Sequence, residues 1–144
     1  KHQVPLKPGA GHFLQLLKEH GIPMGIATSN GQAMVDGVLD SLGIRPFFQT
    51  VATACEVKAG KPAPDIYLFV AEKLGVKPEN CLAFEDVPAG IQAGKAAGMT
   101  VIAMADEFSR HMEAEKRRLA DFWAEDFNQV PALLGNRLWS RPAD

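Results

Sequence analysis

The chain predicts an α/β fold in three layers, a parallel sheet with helices on both faces. Three observations carry this. Short apolar runs alternate with stretches of helical periodicity, helix then strand, four times over up to residue 104. The apolar runs are continuous rather than alternating in polarity, as expected of strands covered on both faces. Three helical stretches end on a glycine, an apolar residue and then a proline: Gly21-Ile22-Pro23, Gly43-Ile44-Arg45-Pro46 and Gly75-Val76-Lys77-Pro78. Glycine takes the left-handed conformation just past the last turn, the apolar residue packs back, and proline forbids continuation.

The first helix is read from Phe13, Leu16 and Leu17, and the first strand from Met24-Gly25-Ile26-Ala27. Met34, Val35, Val38, Leu39 and Leu42 form the stripe of a second helix. Residues 50–54 form the second strand. Ile66, Phe69, Val70 and Leu74 mark the third helix, and Cys81-Leu82-Ala83-Phe84 the third strand. The fourth helix carries small residues at the same spacing, Ala89, Gly90, Ala93, Gly94 and Ala97, so its backbone is expected to lie close to whatever it covers. It stops at Ala97-Gly98-Met99, and Thr100 to Met104 is the fourth strand. Phe108 to Leu119 reads as one polar helix with Glu113 and Arg117 a turn apart. Phe122-Trp123-Ala124 reads as a short last strand and Gln129 to Leu134 as a closing helix. Residues 1–135 are expected to form one α/β core portion, and residues 136–144 a poorly ordered tail.

Composition narrows the function classes. At 144 residues the chain is the size of one domain. Apolar residues make up 47%, enough for an ordinary core, which excludes a charge-dominated linker. The net charge of −2 gives no basic excess that would advertise nucleic acid or an anionic membrane. The longest apolar runs are about five residues, against the roughly 20 needed to span a bilayer. The opening Lys1-His2-Gln3-Val4-Pro5 has no apolar signal core. The two cysteines, Cys55 and Cys81, lack CxxC spacing, so a disulfide framework and a zinc site are not expected and a reducing cytoplasm is the default location.

Ligands of open parallel sheets bind at the carboxyl ends of the strands. The first strand leads into Thr28-Ser29-Asn30-Gly31, the second through Lys58 to Gly60-Lys61-Pro62-Ala63-Pro64-Asp65, the third into Glu85-Asp86-Val87-Pro88. Each cluster has a simpler role. Thr28, Ser29 and Asn30 are good helix caps, but hydroxyls and N–H groups at a helix start also cradle phosphate. Lys61 is a loop lysine, usually a solvated charge. Between Gly60, which permits a sharp turn, and two stiffening prolines, it becomes a compact charge aimed at a phosphoryl oxygen. Lys58 is a nearby decoy. Asp86 could cap the helix opening near Pro88. That leaves Glu85 unexplained, since adjacent carboxylates repel unless a cation lies between them. Magnesium suits such a pair: it takes oxygen ligands, and often one or two carboxylates plus a phosphate. The order hydroxyl, lysine, acid pair at successive strand ends is more specific than any one cluster.

Three stretches carry a family resemblance: Ile26-Ala27-Thr28-Ser29-Asn30, Gly60-Lys61-Pro62-Ala63-Pro64-Asp65-Ile66-Tyr67, and Phe84-Glu85-Asp86-Val87-Pro88-Ala89-Gly90-Ile91-Gln92-Ala93-Gly94-Lys95-Ala96-Ala97-Gly98-Met99. From about Pro8 to Met104 the chain resembles the haloacid dehalogenase superfamily of phosphatases and phosphomutases. The closest likeness is to the subgroup containing β-phosphoglucomutase and sugar- or nucleoside-monophosphate phosphatases. The resemblance implies a Rossmann-like parallel sheet. It makes Thr28 the hydroxyl that hydrogen-bonds the phosphoryl group, with Ser29 and Asn30 adding contacts. Lys61 becomes the lysine that neutralises phosphoryl charge, and Glu85 and Asp86 the acids that place Mg2+. The implied substrate is a small phosphorylated metabolite, with neither nucleic acid nor membrane as partner.

The family's first motif, an Asp-x-Asp pair ending a first strand, does not occur in the sequence. Asp36, Asp40 and Asp106 lie in other contexts, and Asp65 belongs to the Pro-x-Pro-Asp segment. The expected fold therefore lacks its first, central strand and the helical cap. Two unpaired strand edges and a bare apolar channel should result. The expected partner is the N-terminal half of the same protein, or failing that a second copy covering the gap. The reaction expected of the complete protein is magnesium-dependent hydrolysis of a phosphomonoester through an aspartyl phosphate. A mutase of the β-phosphoglucomutase type and a non-catalytic phosphate-binding scaffold are the alternatives. A signalling receiver domain also clusters acids, magnesium and a lysine, but places its acid pair early and has no Gly-Lys-Pro-x-Pro-Asp segment.

Overall fold

The computed structural model describes residues 6–135, so the expected tail at 136–144 and the first five residues of the expected core portion lie outside the described residues. The elements run α1 (Ala10–Glu19), β1 (Gly25–Thr28), α2 (Gln32–Leu42), β2 (Thr50–Thr53), α3 (Asp65–Leu74), β3 (Leu82–Glu85), α4 (Pro88–Ala96), β4 (Thr100–Met104), α5 (Glu113–Leu119), β5 (Phe122–Ala124) and α6 (Val130–Leu134). The glycine stops act as read. Gly21, Gly43, Gly75 and Gly98 all have positive φ, and Gly43 and Gly75 are the residues just past α2 and α3. Among the described residues no helix is long and apolar enough to cross a membrane.

Every strand pairing is parallel, but the strands form two sheets. β1 pairs with β2, Thr28 opposite Thr53, and β3, β4 and β5 pair in that order, Glu85 opposite Ala103. The two-residue period of the strands divides the core. From β4, Val101 and Ala103 face α3 and α4, packing with Ile66, Tyr67, Val70, Ile91 and Ala93. Ile102 and Met104 face the other way, toward Phe13 and Leu17 of α1 and Val130 and Leu134 of α6. These are the two helical layers on one sheet. The buried aliphatic side chains on each face stabilise by roughly 1.5–3 kcal/mol apiece.

Coverage is uneven. β4 is buried along its last four residues, whereas all four residues of β1 are only half-buried. The reason is a cavity of about 1840 Å³ between the two sheets. It is lined by Ile26 and Ala27 of β1, Leu82 and Phe84 of β3, Leu17 of α1 and Leu39 of α2, so the facing edges of β1 and β3 carry unpaired main-chain groups toward an apolar space. The single polar helix read over residues 108–119 is two pieces. A 3-10 segment spans Glu107–Met112, kinked at Ser109 (φ −116°, ψ 20°), whose hydroxyl donates to the Asp86 carbonyl, and α5 follows past a second departure from helical geometry at Met112 (φ −106°, ψ 14°).

The small-residue face of α4 lies against the sheet as its composition implies. A Cβ on Gly94 would stand 2.7 Å from Val101 Cγ2 and 3.5 Å from the Ala83 methyl. Gly94→Val should therefore lower the stability of the protein by about 1–3 kcal/mol, the usual cost of overpacking. A urea midpoint equal to wild type would show that the helix is not held at that distance.

Candidate active site

Strand parity aims the first acid. Ala83 faces α3 and α4, and Phe84 faces α1, where its ring packs on Phe13 at 5.6 Å and Phe127 at 5.4 Å. Glu85 therefore falls on the α3–α4 side and is buried there. Its carboxylate accepts a hydrogen bond from Lys61 Nζ at 2.5 Å and another from the Tyr67 hydroxyl. Room for it exists because position 90 is glycine; a methyl at Gly90 would overlap the Glu85 carboxylate. Lys61 also donates to the Ala27 carbonyl of β1 at 3.1 Å and lies 5.3 Å from the centre of the Tyr67 ring. One ammonium thus touches both sheets at their carboxyl ends.

The loop that delivers Lys61 is tied at several points. Glu56 accepts from Thr53 N at 2.8 Å, Ala63 N donates to Gly60 O at 3.0 Å, and the Asp65 carboxylate accepts from Ala59 N at 3.3 Å. The turn expected at Gly60 is present, but it does not need a glycine there. Gly60 has no positive φ and open space around it. Lys58 is exposed.

The capping roles weighed for the polar clusters are not the ones the side chains play. The residues at the N-caps of α2 and α4 are Gly31 and Val87, and neither helix has a side-chain cap. The Thr28 hydroxyl instead accepts from Asn30 N at 3.1 Å, bending the chain just past β1, and Ser29 and Asn30 are exposed at that bend. Asp86 follows β3 half-buried, and its carboxylate has no hydrogen-bond or ion-pair partner among the described residues.

Burial, and then the Glu85 and Asp86 carboxylates, push the Tyr67 phenol far above its ordinary value. Tyr67 is thus a neutral donor that holds Glu85 without adding charge. As a cation site the donor set is partial. Among the described residues no group of three or more His, Cys, Asp or Glu side chains is gathered for a metal. It suits magnesium, which takes one or two protein carboxylates and completes its octahedron with water and phosphate, and does not suit a closed all-protein cage. Of the two carboxylates that could hold magnesium, Asp86 is free of hydrogen-bond and ion-pair partners among the described residues and Glu85 is already held by Lys61 and Tyr67.

The sequence reading passed over three side chains. Tyr67 stood in the quoted lysine segment without a role. Its signal was position: two residues past Asp65, it falls on the inner face of α3 with Ile66, Val70 and Ala71. Ser109 and Lys116 stood in the segment read as one polar helix. Their spacing of seven, two turns of a helix, was the one sign that they share a face.

The comparisons with known proteins fit this geometry. A family model described as haloacid dehalogenase-like hydrolase matches residues 1–98. Protein CbbY of Rhodobacter capsulatus is 35% identical over 136 residues, covering 91% of this chain and 60% of that protein. Fructose-1-phosphate phosphatase YqaB of Escherichia coli (strain K12) is 44% identical over 80 residues, 56% of this chain and 43% of that one. The crystal structure of β-phosphoglucomutase from Clostridium difficile superposes with a TM-score of 0.78 at 29% identity, over 92% of this chain and 56% of its own. The chain belongs to the haloacid dehalogenase-like hydrolase family. It spans about half the length of the relatives it matches.

The raised phenol gives a pH test. An unfolded tyrosine ionises near its ordinary value of 10.0, whereas folded Tyr67 keeps its proton beyond that. Above pH 10 the native state binds the extra proton, so this contribution is complete below pH 10 and is lost as pH rises. The stability difference between the wild type and Tyr67→Phe should shrink in denaturation series taken at increasing pH above 10. A difference constant over that range would mean that the phenol is not held protonated.

Proposed function

We propose that this chain is the lysine- and acid-bearing part of a magnesium-dependent phosphomonoester hydrolase. Its substrate would be a small phosphorylated metabolite, a sugar phosphate or a nucleoside monophosphate. The observation that carries the reading is Lys61, whose ammonium stands 2.5 Å from Glu85 and 3.1 Å from the carbonyl of Ala27, with Thr28 the next residue on one side and Asp86 on the other. What supports the reading is that the loop after β2 brings a cation onto the ends of both β1 and β3.

In this reading an extended segment outside this chain lies in the cavity between β1 and β3, pairs with both edges, and ends in an aspartate at Lys61. That carboxylate attacks phosphorus, the ester P–O bond breaks, and the phosphoryl group passes to the aspartate. Lys61 neutralises the phosphoryl oxygens, and the Thr28 hydroxyl with the N–H groups after it holds a further one. Glu85 and Asp86 would hold magnesium, which supplies the charge that offsets repulsion between carboxylate and phosphate. Water then attacks phosphorus and regenerates the carboxylate. If a sugar hydroxyl attacks instead, the protein is a mutase. The likeness to β-phosphoglucomutase keeps that outcome in view, and the fructose-1-phosphate phosphatase relative favours water.

The complete protein should hydrolyse p-nitrophenyl phosphate with magnesium and lose that activity in EDTA. Lys61→Ala and Asp86→Ala should each lower turnover by orders of magnitude, and Lys58→Ala should leave it near wild type. Full activity of either site variant would remove its assigned role, and an equal loss at Lys58 would name the wrong lysine. Gly90→Ala, which forces Glu85 off Lys61, should cost roughly 100-fold in kcat, the scale of an ångström misplacement. Free phosphate released from sugar phosphates marks a phosphatase, and an isomeric sugar phosphate marks a mutase.

A further inference from the structure

Lysine is almost never fully buried unless it is paired, yet Lys116 of α5 has no exposed surface and forms no ion pair among the described residues. Its Nζ donates to the Met104 carbonyl at 2.7 Å and to the Ser109 hydroxyl at 2.9 Å, and lies 5.2 Å from the centre of the Trp123 ring. An ammonium offers only donors, so Ser109 Oγ must accept from it. The one hydrogen of that hydroxyl is then committed to the Asp86 main-chain carbonyl, 2.7 Å away. Ser109 is itself buried, and its φ and ψ leave helical values within the 3-10 segment. Burial is the largest influence on the Lys116 ammonium and pushes its pKa down. The Asp86 and Asp106 carboxylates act in the opposite direction, Lys7 adds to the lowering, and Glu113 opposes it. Lys7 is engaged elsewhere, donating to Asp106 at 2.7 Å and to the Ala105 carbonyl at 3.2 Å.

A lysine that only stapled α5 to β4 would need the Met104 carbonyl and nothing more. This one sends its second donor, through a single hydroxyl, to the peptide that carries the acid with the free carboxylate. We propose that Lys116 and Ser109 are positioning residues of the site. The buried ammonium polarises the Ser109 hydroxyl, the hydroxyl pins the Asp86 carbonyl, and the pinned peptide holds the Asp86 carboxylate in the orientation that takes the metal. The proposal rests on the reading of Glu85 and Asp86 as the magnesium acids.

The test uses the complete protein and Mn2+ as a spectroscopic stand-in for magnesium. Binding is followed by electron paramagnetic resonance without substrate, and thermal unfolding is recorded beside it. Ser109→Ala should weaken Mn2+ binding roughly 10- to 100-fold, the usual effect of losing an outer partner of a metal ligand. It should lower kcat at limiting magnesium while the KM for the phosphoester stays near wild type. Lys116→Met should do the same or more. If that variant does not fold, Ser109→Ala decides alone. Wild-type Mn2+ affinity in Ser109→Ala, with binding abolished in Asp86→Asn, would overturn the positioning role while leaving the acid site intact. Wild-type affinity in Asp86→Asn would overturn the acid-site reading, and this proposal with it.

Discussion

The ammonium of Lys61 is the interaction on which the site depends. Among the described residues it is the one side-chain group that donates to both sheets at the site, to the Ala27 carbonyl of β1 and to Glu85 of β3. A cation between a carbonyl and a buried carboxylate in a poorly solvated place is strongly held. The loop ties at Glu56, Gly60 and Asp65 exist, in effect, to bring it there. Tyr67 completes the arrangement by bonding Glu85 without charge. Take away any of these and a buried carboxylate is left with fewer partners than its burial requires.

Around that point the fold is governed by parity. β3 alternates Ala83, Phe84 and Glu85 between two helical layers, so the aromatic cluster on one face anchors the strand that presents an acid on the other. The acid next to it leaves the strand, and its main chain is held by Ser109 from a different part of the chain. Two adjacent carboxylates are thereby given unlike surroundings, one engaged and one free. The cavity between β1 and β3 is the counterpart of the same order: both edges that line it end at the site.

Much of this was legible in the residues. The glycine stops located the ends of α2 and α3 because a left-handed residue leaves a strong local mark. Continuous apolar runs located the strands to within a residue. They overstated coverage for β1, since a run of apolar residues looks the same beside a helix and beside a cavity. The meeting of Lys61 with Glu85 was foreshadowed because Glu85 ends a strand as a second acid that capping does not explain, and Lys61 sits in a stiffened loop after the neighbouring strand. Tyr67, Ser109 and Lys116 were not, for one shared reason. Their partners are 18, 23 and 12 residues away in the chain, across elements whose packing no local pattern records. The break at Ser109 was hidden in the same way. Helical spacing was intact, and the tertiary hydrogen bond at Ser109 left no mark in it.

The glycine stripe of α4 has a consequence for how tolerant that helix is to change. Its two glycines stand a single turn apart and press on different things, Gly90 on a carboxylate and Gly94 on a valine of the sheet. A side chain added at the first would collide with the Glu85 carboxylate; at the second it would wedge against Val101 and Ala83 of the sheet and reach the edge of the Tyr67 ring. A short helix with one continuous face thus divides its labour along its length, its opening turn making room for a buried acid and its following turn setting the distance to the sheet.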